Sequence, residues 1–108
     1  MLEIQLLGNL GKDAEIKNVN GRTFVAFNVA STEKRNQESR TTWVSCTLNG
    51  DGGGLTPWLK KGTQVFIRGN MAVNTYRAND GSTGIDIRCF VDKIQLVGGK
   101  DGNNDSPF

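Results

Sequence analysis

Histidine is absent from the 108-residue chain, and this absence narrows the functions open to it. Histidine is the commonest general base near neutral pH and the commonest neutral metal ligand. The carboxylates are scattered, most of them in segments expected to be loops, and they form no acid–base pair or metal cluster. The sequence therefore predicts neither an enzyme nor a protein that holds a metal or another cofactor.

Cysteines and long apolar runs are also few. The two cysteines, Cys46 and Cys89, have a spacing that fits no metal motif. Both lie on the apolar side of alternating segments, which predicts buried free thiols rather than a disulfide. No apolar run approaches the roughly 20 residues that a membrane span needs, and the N-terminus lacks a signal-peptide pattern. We therefore expect a cytoplasmic protein that does not enter a membrane.

Neither sign of charge is in large excess. The chain holds 13 Lys and Arg residues against 11 Asp and Glu residues, which gives a formal net charge of +2. A balance this mild does not by itself indicate a nucleic-acid-binding protein. The length suits one domain, and a hydrophobic content of 36% is enough for a modest core.

The segment 41–49 alternates between apolar and polar residues, as expected of a β-strand with one buried face. Side chains on a strand point to opposite faces with a period of two. Val44, Cys46 and Leu48 form the apolar face, and Trp43 shares the opposite face with small polar residues. A large indole on the face that should meet water needs a partner. That partner is either another protein surface or a flat ligand that stacks on the ring.

Two further segments, 63–76 and 85–92, repeat this pattern. One parity is largely apolar, and the other carries aromatic and cationic side chains, namely Phe66, Arg68, Tyr76, Arg88 and Phe90. Aromatics mixed with cations on a sheet are typical of proteins that bind single-stranded nucleic acid, because rings stack on bases and guanidinium groups hold phosphates. A subunit interface is the alternative, and it explains Phe66 and Phe90 at least as well.

Cations also concentrate in two segments that are predicted to be loops. The run from Glu33 to Arg40 has no apolar residue and predicts a long exposed hairpin loop, and the run from Arg77 to Gly84 contains a second turn. We therefore predict that Trp43 and Tyr76 stack on bases. The cations predicted to contact phosphates are Lys34, Arg35, Arg40, Arg68, Arg77 and Arg88.

A short helix is predicted between the third and fourth strands. Thr56 is suited to the N-cap, Pro57 to the first helical position, and Gly62 to the position just past the end. Trp58 and Leu59 are expected to bury their side chains against one end of the sheet.

The order of the elements predicts an all-β OB-fold, a five-stranded barrel with one short helix between strands 3 and 4. Gly8 and Gly11 predict a bend in the first strand, and Asn20-Gly21 predicts a hairpin turn. The domain is expected to span residues 1–97. Residues 98–108 are too polar to bury a core and predict a short disordered tail.

Several motifs, taken in order and at their spacing, resemble those of the bacterial single-stranded DNA-binding protein (SSB) family over about residues 1–97. The resemblance implies a homo-oligomer, usually a tetramer, that binds single-stranded DNA without sequence preference in replication, recombination and repair. It also implies that Trp43 and Tyr76 occupy positions at which the family stacks bases. The motifs are Gly8-Asn9-Leu10-Gly11-Lys12-Asp13, Phe27-Asn28-Val29-Ala30-Ser31, Thr42-Trp43, the segment from Leu59 to Gly69, and the segment from Ile94 to Gly98.

The chain also departs from the family pattern. Arg35 stands where many members carry an aromatic residue, and Asn49 stands where the family often has a phenylalanine that stacks on a base. Family members end in an acidic tip finishing Pro-Phe, which implies docking on replication and repair enzymes. The corresponding residues here are Asp105, Pro107 and Phe108, after a tail that is shorter than usual. This length is consistent with a plasmid or phage gene, but the sequence does not distinguish such an origin from a chromosomal one.

Two other functions stay open on the sequence. The outward aromatics could form the interface of a protein-interaction module that is accessory to a replication complex. The same fold could bind single-stranded RNA, because nothing in the residue spacing tests for the 2′-hydroxyl group.

Overall fold

The computed structural model describes residues 1–97, which form six strands and one short 3₁₀ helix. This confirms the all-β fold class. Asp105, Pro107 and Phe108 lie outside the described residues, as does the rest of the predicted tail. The strands are β1 (Glu3–Leu10), β2 (Glu15–Val19), β3 (Arg22–Arg35), β4 (Glu38–Asn49), β5 (Gln64–Arg77) and β6 (Thr83–Leu96), and the 3₁₀ helix spans Thr56–Trp58.

The strands pair in the order β1-β5-β6-β4-β3-β2, and an additional pairing joins β1 to β3. That pairing is made at Asn9 and Leu10 of β1, beside Ala30 and Val29 of β3. It returns the sheet to its first strand, so the pairings form a closed ring around the core. The pairs are antiparallel, except that β4 runs parallel to β6.

The first predicted strand is divided into β1 and β2, which accounts for six strands where five were expected. β1 pairs with β5 from Glu3 to Asn9, and β2 pairs with β3. Between them the chain turns at Gly11, whose backbone N–H donates a 3.1 Å hydrogen bond to the carbonyl of Asn28. The predicted bend is therefore confirmed.

The core is filled by the inward-facing residues of β1, β3, β4, β5 and β6, together with one residue that follows the 3₁₀ helix. Burying one of the larger of these side chains stabilises the fold by about 1.5–3 kcal/mol. The inward parity predicted for the central parts of the strands is confirmed. The buried set is Leu6, Leu10, Val25, Phe27, Val29, Val44, Cys46, Leu59, Val65, Ile67 and Cys89.

A bulge in β6 changes which of its residues face inward. Arg68 and Gly69 are consecutive in β5, but their partners in β6 are Lys93 and Val91. Asp92 is therefore an extra residue of β6 with no partner position in β5. Before the bulge the odd-numbered residues such as Val91 pack against the core, and after it Ile94 does. A strict alternation along the whole strand would have placed Ile94 on the outer face.

The helix prediction is wrong in two respects. Trp58 is 62% exposed, whereas Leu59 is fully buried. Thr56 does not cap the helix, because its hydroxyl donates a 2.6 Å hydrogen bond to the carbonyl of Asp51. The carbonyl of Leu59 accepts a 2.8 Å hydrogen bond from the N–H of Ala14, which ties this residue rather than its neighbour to the β1–β2 connection. No helix within residues 1–97 is long and apolar enough to cross a membrane.

The predicted long loop from Glu33 to Arg40 is also wrong. β3 and β4 stay paired to their ends, and only Asn36 and Gln37 turn. Both have positive φ angles, 52° and 68°, as a two-residue hairpin turn of type I′ requires. Because β1 pairs with β3 only at Val29 and Ala30, the residues beyond them form a two-stranded projection, the β3–β4 arm (residues 31–42).

The hairpin of β5 and β6 forms a second projection, the β5–β6 arm (residues 73–87). β1 pairs with β5 only as far as Asn70, whereas β6 pairs with β5 to the end of the strand. Val73 and Ile85 have the inward parity that was predicted, but they lie on this arm and are 46% and 64% exposed. The prediction that they face the core is therefore wrong, because the arm extends past it.

Cys46 and Cys89 are neighbours in the parallel pair of β4 and β6, and both are buried free thiols. This confirms the prediction made from their parity. Burial raises the pKa of the Cys46 thiol, and the neighbouring Cys89 raises it further. Burial also raises the pKa of Cys89, as does the carboxylate of Asp92.

The free energy of unfolding should fall as the pH rises above about 8.5, the ordinary pKa of a thiol. The unfolded chain then releases the Cys46 proton while the folded protein keeps it. Because the folded-state pKa is the raised one, stability is full below this pH and declines above it, by up to about 1.4 kcal/mol per pH unit for each such thiol.

Urea unfolding followed across this alkaline range measures the decline. Cys46→Val removes the buried thiol and should make the decline shallower, because this thiol is the only ionisable group that differs between the two proteins. Equal slopes for the variant and the parent protein would show that the thiol does not contribute.

Candidate nucleic-acid interface

Trp43 lies on the outer face of β4, and 55% of its surface is exposed. Its indole rests on Gly11 in the bend between β1 and β2. A Cβ atom added to Gly11 would lie 2.6 Å from Cζ3 and 2.7 Å from Cη2 of the indole, closer than any real Cβ contact. Only glycine therefore lets the ring pack there, with backbone under part of it and more than half of its surface open.

Tyr76 repeats this arrangement on the β5–β6 arm. It lies directly opposite Gly84, and a Cβ atom at that glycine would overlap the phenol ring. A cross-strand ring of this kind covers a stretch of backbone that has no side chain of its own. Tyr76 is 56% exposed, so the phenol, like the indole, is supported by a glycine and open to solvent.

The outer sides of β4 and β6 form one continuous surface. In the parallel pair, Ser45 lies beside Arg88 and Thr47 lies beside Phe90. Trp43 is two residues before Ser45, so it lies on the same side of β4. We call these five residues the β4–β6 face. It presents an indole, a guanidinium and a half-exposed phenyl ring in succession.

Arg88 is tied to a carboxylate of its own strand. Its Nε donates a 2.7 Å hydrogen bond to Oδ2 of Asp86, two residues earlier on the same side of β6. This ion pair fixes the guanidinium and offsets part of its charge. Arg88 is therefore a weaker phosphate contact than its position suggested.

Arg68, unlike Arg88, is not paired with a carboxylate in the described part of the chain. It is exposed on the outer side of β5 and lies directly opposite Lys93 of β6 and Gln5 of β1. Like charges opposite each other on a sheet repel, and neither cation takes part in the ion pairs formed within residues 1–97. A bound anion would relieve this repulsion.

Lys34, Arg35 and Arg40 are exposed on the β3–β4 arm. The pairing places Arg40 opposite Glu33 and Arg35 opposite Glu38. Each arginine therefore has a carboxylate across the arm, which reduces the positive potential that the three cations would otherwise produce. Lys34 has no carboxylate in the opposite position.

The turn that ends the β5–β6 arm is held by side-chain hydrogen bonds, and its prediction is confirmed. The Asp80 carboxylate accepts hydrogen bonds from the N–H and the hydroxyl of Ser82, at 2.9 and 2.7 Å. These bonds lower the pKa of Asp80. The turn fixes the end of the arm that carries Tyr76 and Arg77.

The structure groups the predicted residues into separate places. Trp43 and Arg88 share the β4–β6 face, while Tyr76 and Arg77 lie further along the β5–β6 arm. Arg68 lies on the part of β5 that is flanked by β1 and β6. The β3–β4 arm holds the other three cations, Lys34, Arg35 and Arg40.

Sequence reasoning missed two residues beside the β4–β6 face. Phe24 of β3 lies opposite Asn49, and it is only partly buried. Arg22 lies two residues before Phe24 on the same side and is exposed. The signal was available, because the inward position of Val25 assigns both residues to the outer side of β3.

The surface as a whole is made of rings, cations and amides. Within residues 1–97, no cluster of three or more acidic or sulfur ligands could hold a metal ion. Exposed rings and cations on a closed β-sheet suit a flexible ligand with flat groups and regularly spaced negative charges. This combination is typical of β-domains that bind single-stranded nucleic acid.

Comparison with known families identifies the chain more closely. The model of the single-strand binding protein family matches residues 1–97. The chain belongs to this family.

Two curated relatives show the extent of the likeness. A single-stranded DNA-binding protein of Xylella fastidiosa is 30% identical over 105 residues, which cover 91% of this chain and 64% of that protein. One of Chlamydia muridarum is 29% identical over 101 residues, which cover 92% of this chain and 64% of that protein. The chain thus spans less than two thirds of the length of either relative.

Solved structures show the same fold. The small single-stranded DNA-binding protein from Streptomyces coelicolor superposes with a TM-score of 0.73 at 17% identity, covering 88% of this chain and 93% of that one. The Plasmodium falciparum SSB, solved in complex with single-stranded DNA, has a TM-score of 0.65 at 23% identity, covering 89% and 92%. At these identities the likeness concerns the fold alone.

Gly11→Ala should displace the Trp43 indole, because the added methyl group would occupy the place of the ring edge. We expect a shift in Trp43 emission and stronger quenching by acrylamide. The measurement uses a Trp58→Phe background, in which Trp43 is the only tryptophan. Gly54→Ala is the matched control, since a Cβ there meets nothing within 4 Å. An unchanged emission and quenching rate in Gly11→Ala would mean that the glycine does not position the indole.

Proposed function

We propose that this chain binds single-stranded DNA without sequence preference and protects it in replication, recombination and repair. The observation that carries the proposal is the pair of exposed rings, Trp43 and Tyr76, each supported on a glycine. A ring that is already fixed on one side can take a base on the other without rearrangement. Each stacked base contributes about 1–3 kcal/mol. Membership of the single-strand binding protein family agrees with this function.

Phosphate contacts supply the second part of the proposed mechanism. Arg68 is the best placed of the predicted cations, because it lies beside Lys93 with no carboxylate opposite. Arg88 contributes least, since it is paired with Asp86. The remaining contacts of the proposal come from the two arms and are Lys34, Arg35, Arg40 and Arg77.

Low sequence specificity follows from the chemistry of the rings. Every base has a π-face, so stacking on an indole or a phenol does not distinguish one base from another. The preference for DNA over RNA stays a prediction, and competition between the two ligands tests it. The protein acts in this proposal as a stoichiometric binder rather than as an enzyme.

We also propose that the closed ring of strands is a five-stranded OB barrel, in which β1 and β2 act as one bent strand. The support is the double pairing of β1 with β5 and β3. On this proposal the DNA lies on the outer side of the barrel and between its two arms.

A homo-oligomer, with a tetramer as the expected form, belongs to the same proposal. Apolar side chains suited to subunit contacts lie outside the core: Leu7, opposite Phe66, is 49% exposed, and Val73 and Ile85 are exposed on the β5–β6 arm. Docking of replication and repair proteins on Pro107-Phe108 stays a prediction. So does the cytoplasmic location.

Trp43→Ala should weaken binding to oligo-dT by about fivefold to 150-fold, the equivalent of one lost stack of about 1–3 kcal/mol. Trp58→Ala is a matched control, because both indoles are more than half exposed and only Trp43 lies on the β4–β6 face. Fluorescence anisotropy of a labelled oligonucleotide gives both affinities.

Equal affinities for the two variants would contradict the stacking role of Trp43. If the parent protein at micromolar concentration does not retard single-stranded DNA in a gel-shift assay at moderate salt, the proposal fails altogether. That result would favour an interaction module of a replication complex.

Arg68→Ala should reduce the salt dependence of binding. A cation that neutralises one phosphate of a single strand contributes about 0.7 to the slope of log affinity against log salt concentration. Lys60→Ala is the control, because Lys60 is exposed and pairs with Asp13 at 3.8 Å. A slope for Arg68→Ala that equals the slope of the control would remove Arg68 from the phosphate contacts.

A further inference from the structure

A groove with a volume of about 570 Å³ lies next to the β4–β6 face, between the hairpin of β2 and β3 and the outer side of β6. This volume lies in the range of sites that hold a small organic molecule. Rings, amides and one cation line it. The residues that matter for its chemistry are Asn20, Arg22, Phe24, Thr47, Asn49 and Phe90.

We propose that this groove is a further nucleotide subsite, in which Phe24 and Phe90 contact a base and Arg22 contacts a phosphate of the same DNA strand that stacks on Trp43. The inference rests on the proposed function and extends it. Phe24 and Arg22 were not assigned to the site from the sequence. Phe90 was identified there as an outward aromatic, but a subunit interface explained it at least as well.

The pairing of the strands places the two rings on opposite sides of β4. Phe90 lies beside Thr47, and Phe24 lies beside Asn49, two residues further along β4 on the same side. β3 and β6 are two strand spacings apart, or roughly 10 Å. On this side Thr47 lies beside Phe90 and Asn49 lies beside Phe24, so a base that contacts both rings would lie over these two polar side chains of β4.

The polar groups at the groove suit a nucleotide better than an apolar ligand. The side-chain amides of Asn20 and Asn49 each provide a donor and an acceptor for the edge of a base. Arg22 is exposed, and none of the ion pairs within residues 1–97 includes it. The nearby Lys17, by contrast, pairs with Glu15 at 3.8 Å.

The occupant is the same strand and not a separate ligand, because the groove continues the β4–β6 face. Phe90 belongs to both surfaces, and Trp43, Ser45, Thr47 and Asn49 follow one another on one side of β4. Alternate residues on one side of a strand are about 7 Å apart, close to the reach of one nucleotide. A strand that stacks on the indole and runs along β4 therefore arrives at the groove.

Phe90→Ala and Arg22→Ala test the subsite, since both side chains are exposed and the variants should fold. In anisotropy titrations with a labelled oligo-dT of about 16 nucleotides, Phe90→Ala should bind about fivefold or more weakly. Phe90→Tyr, which keeps a ring, should bind as the parent does. Arg22→Ala should lower the salt slope by about 0.7. Ile16→Ala is the control, because Ile16 is exposed on β2 and does not line the groove.

The result that overturns the subsite is parent-like binding by Phe90→Ala and Arg22→Ala while Trp43→Ala still binds weakly. If Trp43→Ala also binds like the parent, the proposed function fails as well, so the two failures are distinguishable. A second measurement uses oligonucleotides that carry 5-iodouracil, which crosslinks to stacked aromatic rings under light. Adducts on Phe24 or Phe90, mapped by mass spectrometry, are expected. Adducts confined to Trp43 and Tyr76 would overturn the subsite.

Discussion

The path of the chain through Gly8 and Gly11 is the constraint on which the rest of the structure depends. Gly8 lets β1 lie close against β3, because a Cβ atom there would overlap the carbonyl oxygen of Ala30. This approach allows β1 to pair with β5 and also with β3 at Asn9 and Leu10, which closes the ring of strands around the core. Three residues further on, Gly11 provides the surface on which the Trp43 indole rests. Closure of the fold and presentation of the indole therefore depend on two glycines of one short segment. A side chain at Gly11 would disturb the site before it disturbed the core.

Much of the fold follows from local alternation, and the errors arise where distant partners decide. The inward positions of Val25 and Val44 depend only on a period of two, so the sequence predicts them. Ile85 has the right parity but lies on an arm that extends past the core. Trp58 and Leu59 are adjacent and both large, and a hydrogen bond from a distant segment fixes Leu59 inward. No local pattern contains that information.

The sequence predicts which types of residue form the site. It does not predict which cations are paired with carboxylates, or which glycines lie beneath the exposed rings. The outward position of Trp43 follows from the same alternation. The ion pair that engages Arg88 and the carboxylates across the β3–β4 arm depend on the pairing of strands. The glycine beneath Tyr76 comes from the opposite strand, so the printed sequence does not connect the two residues. Phe24, by contrast, is assigned to the outer side of β3 by alternation alone, and the alignment of β3 with β4 then places it beside the site.

The side-by-side burial of Cys46 and Cys89 gives this protein a practical property. Both thiols of the chain are enclosed in the core and keep their protons at neutral pH, so maleimide dyes have no native target on the folded surface. A single cysteine introduced at the tip of either arm would be the only group labelled. Such a probe would report movement of that arm when a ligand arrives, without any need to remove the natural thiols.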